Sequence, residues 1–212
     1  MLSVFIFLLF LPWTFADFAI TPVGDFRKGI LKDNIDSPGR KLLSVPGNLG
    51  YAVHSLPVPV DHFLNSTKYA PHSTATFPLR YFLDDSYYQE GGPVFLLESG
   101  ETDATARLPF LKRGLIHELI KVTHGIGVVL EHRYYGQSFP VTDLSAENMR
   151  FLTTEQSIAD AAYFAENVVF PGHENATLNP PNTPWIAYGG SYAGAFVAFC
   201  RKIYPRVFWG MF

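Results

Sequence analysis

Cysteine is nearly missing from this 212-residue chain, where Cys200 stands alone. One thiol cannot close an internal disulfide, so the class of small secreted domains stapled by disulfides is excluded. Cys200 reads as a buried free thiol, or as one whose partner lies outside this chain. Excess positive charge is missing too. Sixteen Lys and Arg against nineteen Asp and Glu give a formal net charge of −3. Phosphate binding leaves a basic footprint, and its absence argues against a nucleic-acid partner. The sequence has no HExxH, no paired CxxC and no P-loop, so no metal and no cofactor is expected. Gly125-Ile126-Gly127 lacks the third glycine and the following helix that a dinucleotide site needs. The adjacent Asp84 and Asp85 point apart on a strand or flank a turn, and read as structural. After the first 16 residues no apolar run approaches the ~20 residues of a membrane span. Finally, no Asp, Glu or His follows Ser191.

What remains is apolar and aromatic enough to fold. An apolar fraction of 48% with 16% aromatics excludes a disordered composition, and the length suits one domain of ordinary size. The chain opens MLSVFIFLLFLPWTFADF. Val4 to Leu11 is too short to span a bilayer, Pro12 interrupts it, and Thr14-Phe15-Ala16 offers a cleavage site. Residues 1–16 therefore read as a signal peptide, with a buried element or a membrane anchor as the alternatives. The expected destination is extracellular, or a lysosomal or vacuolar lumen, with no membrane attachment after cleavage. Two sequons, Asn65-Ser66-Thr67 and Asn175-Ala176-Thr177, fall in polar stretches flanked by proline and are candidate glycosylation sites at Asn65 and Asn175.

Residues 17–50, rich in Gly, Pro, Asp and Lys without periodicity, read as a mobile N-terminal segment. Tyr51 to Val60 suits an edge strand, since it carries Pro57 and Pro59. Thr76 to Leu83 is a second strand, closed by the turn residues Asp84-Asp85-Ser86. Continuous apolar runs at 93–97, 126–130 and 185–188 mark strands buried on both faces. Between them, 104–122 reads as a helix with Leu111, Leu115, Leu119 and Val122 on one face. A capping box at Thr153-Thr154-Glu155-Gln156 opens a second helix. Its apolar face is Ile158, Ala161, Ala162, Ala165, Val168 and Val169, and Pro171-Gly172 stops it. A third helix runs from about Ser191 to Tyr204. Buried strands alternating with helices imply βαβ units and a parallel sheet.

The stretch YGGSYAGAF at 188–196 joins the last of these strands to the last helix. A serine at such a sharp turn presents its hydroxyl at the tip, and its neighbours two residues away must be small because strand and helix backbones converge there. Gly189 meets that need, and Ala193 stands where the usual pattern has glycine. The Tyr192 N–H would point at a developing oxyanion, and the loop Glu98-Ser99-Gly100-Glu101 would supply a second donor, with Gly100 letting the backbone turn inward. The alternative is an ordinary tight turn with Ser191 as a helix N-cap.

WIAYGGSYAGAF…RKIYP (185–205), EHRYYGQS (131–138), FLTTEQSIADAAYF (151–164), VDHF (60–63) and TFPLRYFLDDSYY…GGPVFLL (76–97) resemble, in order, the prolyl carboxypeptidase and dipeptidyl peptidase II family of serine peptidases. The resemblance implies an α/β-hydrolase fold, a secreted or lysosomal setting, and cleavage of peptide substrates next to proline. It implies Ser191 as nucleophile and the Tyr192 N–H in the oxyanion hole. The loop at 98–103 departs from the family's usual glycine-rich form. On this reading residues 51–212 are the N-terminal part of the hydrolase domain, with later strands and a helical cap outside it. The strand at 185–188 is then expected to be an unpaired edge. In an α/β-hydrolase the acid and the base follow the serine. None does so here, so the 212 residues alone are expected to be inactive. His132, at the end of a parallel strand, is the tempting substitute base, but EHRYYG reads better as structural, with Glu131 and Arg133 paired or hydrogen-bonded beneath the site. An esterase or lipase on the same fold and a non-catalytic secreted binding protein are the alternatives.

Overall fold

The computed structural model describes residues 47–212. The expected signal peptide at 1–16 and most of the expected N-terminal segment at 17–50 lie outside the described residues. Residues 47–50 form a turn.

Six strands, β1 (His54–Pro59), β2 (Thr76–Asp84), β3 (Val94–Glu98), β4 (Ile126–Leu130), β5 (Trp185–Tyr188) and β6 (Phe208–Met211), form one sheet in the order β1-β2-β4-β3-β5-β6. β1, β2 and β4 pair antiparallel. β4, β3, β5 and β6 pair parallel. Parallel pairing requires crossovers, and these are helical. They are α1 (Pro109–Lys112) with α2 (Leu115–Thr123), α3 (Thr154–Asn167) and α4 (Tyr192–Ile203). Every residue of β3 and β4 is buried, as befits central strands covered on both faces. Their period of two splits the core. Leu96 and Val128 face a cluster with Ile158, Phe164, Phe196 and Val197 from α3 and α4. Phe95, Leu97 and Val129 face a cluster with Leu111, Ile116 and Ile120 from α1 and α2. The chain is thus α/β, with a mostly parallel sheet between flanking helices.

Four local expectations need correction. Residues 104–122 are not one helix. Arg113 is extended and Gly114 has φ 89°, which separates α1 from α2. The break resets the phase, so Leu115 (47% exposed) and Val122 (69%) face outward while Ile116 and Ile120 are buried. The second helix ends at Asn167, so buried Val168 and exposed Val169 lie past its end. Only half of its capping box forms. Thr153 Oγ1 accepts the Gln156 N–H at 3.2 Å, but the Gln156 side chain turns away to Asp61 and the His62 N–H. The strand at 185–188 is not an edge. β6 pairs with it in parallel, Trp185 opposite Phe208 and Ala187 opposite Met211.

Two buried charges after β4 tie this framework together. Glu131 accepts from Arg80 Nε and Nη2, Ser138 Oγ and the N–H groups of Ala104 and Gln137. Arg133 donates from Nε and Nη2 to Asp160 at 2.6 and 2.7 Å. It also donates to the carbonyls of Pro59, Val60 and Phe151. It therefore joins the end of β1 to α3. Breaking a buried pair from one side strands the other charge and costs about 3–5 kcal/mol, whereas exposed pairs are worth about 0–1. Arg133→Met is expected to lose about 3–5 kcal/mol of unfolding free energy in urea titration. Lys68→Ala, which breaks an exposed pair with Glu155, should lose no more than about 1. Equal losses would refute the ranking.

Candidate active site

β5 ends at Tyr188, and α4 begins at Tyr192 after only Gly189-Gly190-Ser191. To reverse direction in so few residues, Ser191 takes φ 59° and ψ −126°. A non-glycine residue there carries strain of about 1–3 kcal/mol. Ser191 is exposed at the tip of the turn and its side chain makes no capping hydrogen bond to the helix, so the reading as an ordinary N-cap fails. The convergence of strand and helix is tightest at Gly189, where a side-chain carbon would run into the backbone carbonyl of Ala193. Ala193 itself is buried. Its methyl is accommodated because the neighbour across from it is Gly100, where even an added Cβ would stay 3.4 Å away. Gly100 has φ 70°, a conformation that other residues adopt only with strain.

The loop after β3 therefore packs against the elbow, and both of its ends are fixed. The Ser99 N–H donates to the Leu130 carbonyl at 3.0 Å, and the Thr102 N–H donates to the Gly100 carbonyl at 2.8 Å. Arg107 Nε donates to the Ser99 carbonyl. Asp103 lies 2.8 Å from Arg80 Nη2, and the Ala104 N–H donates to Glu131. The Tyr192 N–H opens α4 and so has no acceptor within the helix. Burial holds the Tyr192 ring behind it, where its hydroxyl meets Thr154 Oγ1 at 3.1 Å.

His132 is buried in a cage of Tyr135, Tyr192 and Phe196, with ring centroids 5.4, 5.9 and 5.8 Å away. Nδ1 lies 2.8 Å from the Arg133 carbonyl. A carbonyl only accepts, so Nδ1 carries the proton and Nε2 carries the lone pair. Nε2 has no partner among the described residues. Burial pushes the imidazole pKa down, which keeps the ring neutral. The other histidines are occupied elsewhere. His62 meets Asp160, His72 meets Asp61, His173 meets Asp85, and His117 meets the Leu111 carbonyl. His54 stacks on Tyr81, and His124 caps α2 in a left-handed conformation. No histidine is hydrogen-bonded to Ser191.

The thiol of Cys200 is buried on α4, and burial pushes its pKa up, so it is not a nucleophile. Asp84, one of the adjacent carboxylates, accepts the Tyr51 hydroxyl at 2.5 Å as part of the core. Asn65 and Asn175 both sit exposed in loops. Among the described residues no cluster of three metal-binding side chains occurs, and no helix is long and apolar enough to cross a membrane. The arrangement presents a strained, exposed serine immediately before the first amide of α4.

Sequence reasoning found the elbow and the loop opposite it. It missed the clamp on that loop, because the clamp runs through Arg80 and Glu131, 51 residues apart.

Residues 59–212 match the family described as Serine carboxypeptidase S28. The chain is 52% identical over 163 residues to a protein of Arthroderma benhamiae named a probable extracellular serine carboxypeptidase, covering 77% of this chain and 23% of that protein. It is 34% identical over 165 residues to the lysosomal Pro-X carboxypeptidase of Homo sapiens, covering 74% of this chain and 30% of that protein. The chain thus spans about a quarter of the length of the curated relatives it matches. Among solved structures, the haloalkane dehalogenase DatA from Agrobacterium tumefaciens is similar at a TM-score of 0.40 and 15% identity, over 75% of this chain and 40% of that one.

The backbone account predicts opposite responses at two neighbouring positions. Ser191→Gly relieves the strained φ and should stabilise the folded chain by about 1 kcal/mol. Gly189→Ala forces the elbow apart and should destabilise it by about 2 kcal/mol or more. Denaturant midpoints of the two variants decide the matter, and a Gly189→Ala variant as stable as the parent would refute the close approach.

Proposed function

The chain belongs to the serine carboxypeptidase S28 family, and from that premise we propose that Ser191 is the nucleophile of a serine-type exopeptidase that cleaves peptides next to proline. The observation that carries this reading is the exposed, strained Ser191 between a parallel strand and a helix. Ser191 Oγ would attack the scissile carbonyl, its proton passing to a base, to give a tetrahedral oxyanion and then an acyl-enzyme. The Tyr192 N–H, at the positive end of α4, would face that oxyanion.

Proline as the recognised residue is supported by the printed name of the human relative and by the motif resemblance. A secreted or lysosomal setting is supported by the N-terminal pattern and the names of both relatives. The exposure of Asn65 and Asn175 fits glycosylation at both.

No base is hydrogen-bonded to Ser191, and the residues after it contain no Asp, Glu or His. We therefore read the 212 residues by themselves as a poor catalyst.

A fluorophosphonate probe tests the assignment of Ser191. Prolonged exposure should modify Ser191, mapped by peptide mass, and leave a Ser191→Ala variant unmodified. Labelling that is equal in the two would sink the assignment. Prolyl-peptide hydrolysis by this chain alone should lie about 10⁴-fold or more below that of the lysosomal Pro-X carboxypeptidase of Homo sapiens. Turnover near the relative's rate would instead demand a base within these residues.

A further inference from the structure

The Tyr192 hydroxyl is tied to a different helix from the one its backbone opens. Tyr192 is joined to Ser191 through one peptide, which carries both the Ser191 carbonyl and the Tyr192 N–H. The carbonyl is held from within α4, where the Gly194 and Ala195 N–H groups donate to it at 3.0 and 3.2 Å. The side chain of Tyr192 is held from outside. Its hydroxyl meets Oγ1 of Thr154, the first residue of α3, at 3.1 Å. Along the way its ring packs against His132 and Phe196, with centroids 5.9 and 6.3 Å away.

Thr154 is a firm point of attachment. Its neighbour Thr153 takes the Gln156 N–H at Oγ1 and lies 2.9 Å from the Tyr69 hydroxyl. Gln156 donates to Asp61, and Asp160 on the same helix takes Arg133. The start of α3 is thus bound to the segment that follows β1 and to the segment that follows β4. Through Thr154 the Tyr192 ring joins that frame.

The elbow has need of such an attachment. With φ 59° and ψ −126°, Ser191 could shed its strain by turning ψ toward the left-handed region. Two motions would do it. Rotation of the peptide alone, between fixed Cα atoms, breaks the two bonds to the Ser191 carbonyl. Rotation that carries Tyr192 along drags its ring off Thr154. Either motion turns the Tyr192 N–H to a new direction.

We propose that Thr154 is a positioning residue: through the Tyr192 hydroxyl it blocks the second motion, and so fixes the exposed, strained form of Ser191 and the direction of the Tyr192 N–H. This rests on the reading of Ser191 as the nucleophile. The carbonyl bonds and the hydroxyl pair act on opposite sides of one peptide, and loss of either leaves the strain free to relax.

Five forms of the chain test this: the parent, Thr154→Val, Thr154→Ser, Tyr192→Phe and the double variant Thr154→Val/Tyr192→Phe. Valine keeps the shape of threonine, and phenylalanine keeps the ring against His132 and Phe196, so all are expected to fold. Two readouts are taken, the rate of fluorophosphonate labelling at Ser191 and hydrogen exchange at the Gly194 and Ala195 amides. A neutral hydrogen bond is worth about a fivefold factor. Labelling should therefore be about fivefold slower in Thr154→Val and in Tyr192→Phe, and exchange about fivefold faster. Thr154→Ser restores the hydroxyl and should recover both. Both single variants remove the same bond, so the double variant should be no slower than either. A bond that served stability alone would leave the labelling rate of the folded chain unmoved. Parent-like labelling or exchange in Thr154→Val, slow labelling in Thr154→Ser, or a double variant slowed by the product of the two single factors would each overturn the proposal. If exchange behaves as stated but no form labels at Ser191, the nucleophile reading falls with the catalytic half of the proposal, and the hold of Thr154 on the elbow stands.

Discussion

The C-terminal edge of the sheet depends on one constraint, the opposed anchoring of Glu131 and Arg133 on either side of His132. Beyond Leu130, Glu131 turns toward Arg80 and the loop before α1, while Arg133 reaches α3 through Asp160. Each charge is buried, and each is satisfied several times over. An incomplete set of partners would make these charges a liability of several kcal/mol, so the anchors either form completely or destabilise the fold. Once formed, they hold the loop at 98–104 from one side and α3 from the other, with the elbow between.

Such a frame is what lets Ser191 stay in a strained conformation. The strain is about 1–3 kcal/mol. Against it stands the burial of Ala193, Phe196, Val197 and Cys200 on the inner face of α4. Each large apolar side chain there contributes about 1.5–3 kcal/mol. Packing of the helix therefore outweighs the strain at its first turn. The two buried carboxyls near the elbow show the same logic of magnitude. Glu131 meets a guanidinium and three further donors, and can serve as an anchor. Glu98 is buried with its Oε1 unpartnered among the described residues, and burial pushes its pKa up.

Much of this could be read from the residues, and the gaps have physical causes. The central strands were legible because continuous apolar runs such as VFLLE and IGVVL have few other uses in a chain of this kind. The elbow was legible because glycine at 189 and a serine before a helix answer a local steric demand. The helix at 104–122 misled because periodicity assumes a continuous helix, and Gly114 breaks it. The capping box misled because Gln156 had a better offer from Asp61, 95 residues earlier in the chain. β6 went unread because VFWGMF is short and follows Pro205 closely. Glu98 went unread because a carboxyl at the end of an apolar run looks like the start of a polar loop, and only its enclosure beneath α4 makes it unusual. At Gln156 a partner distant in sequence overrules the local pattern.

The remaining question at the elbow is whether His132 can act as the base of Ser191, and its surroundings argue that it cannot. A base must offer a lone pair to the serine hydroxyl and then hold a positive charge. The available lone pair is on Nε2, and three aromatic rings enclose the imidazole. Reversing the ring would free Nδ1 only by giving up its bond to the Arg133 carbonyl. The charge would then form next to Arg133, in a place where burial already pushes the imidazole toward its neutral form. Each step raises the barrier that a base is there to lower. The ring instead supports Tyr192 from behind, and so helps to fix the amide at the start of α4. Glu131, His132 and Arg133 are thus held by the framework, and none of them is hydrogen-bonded to Ser191.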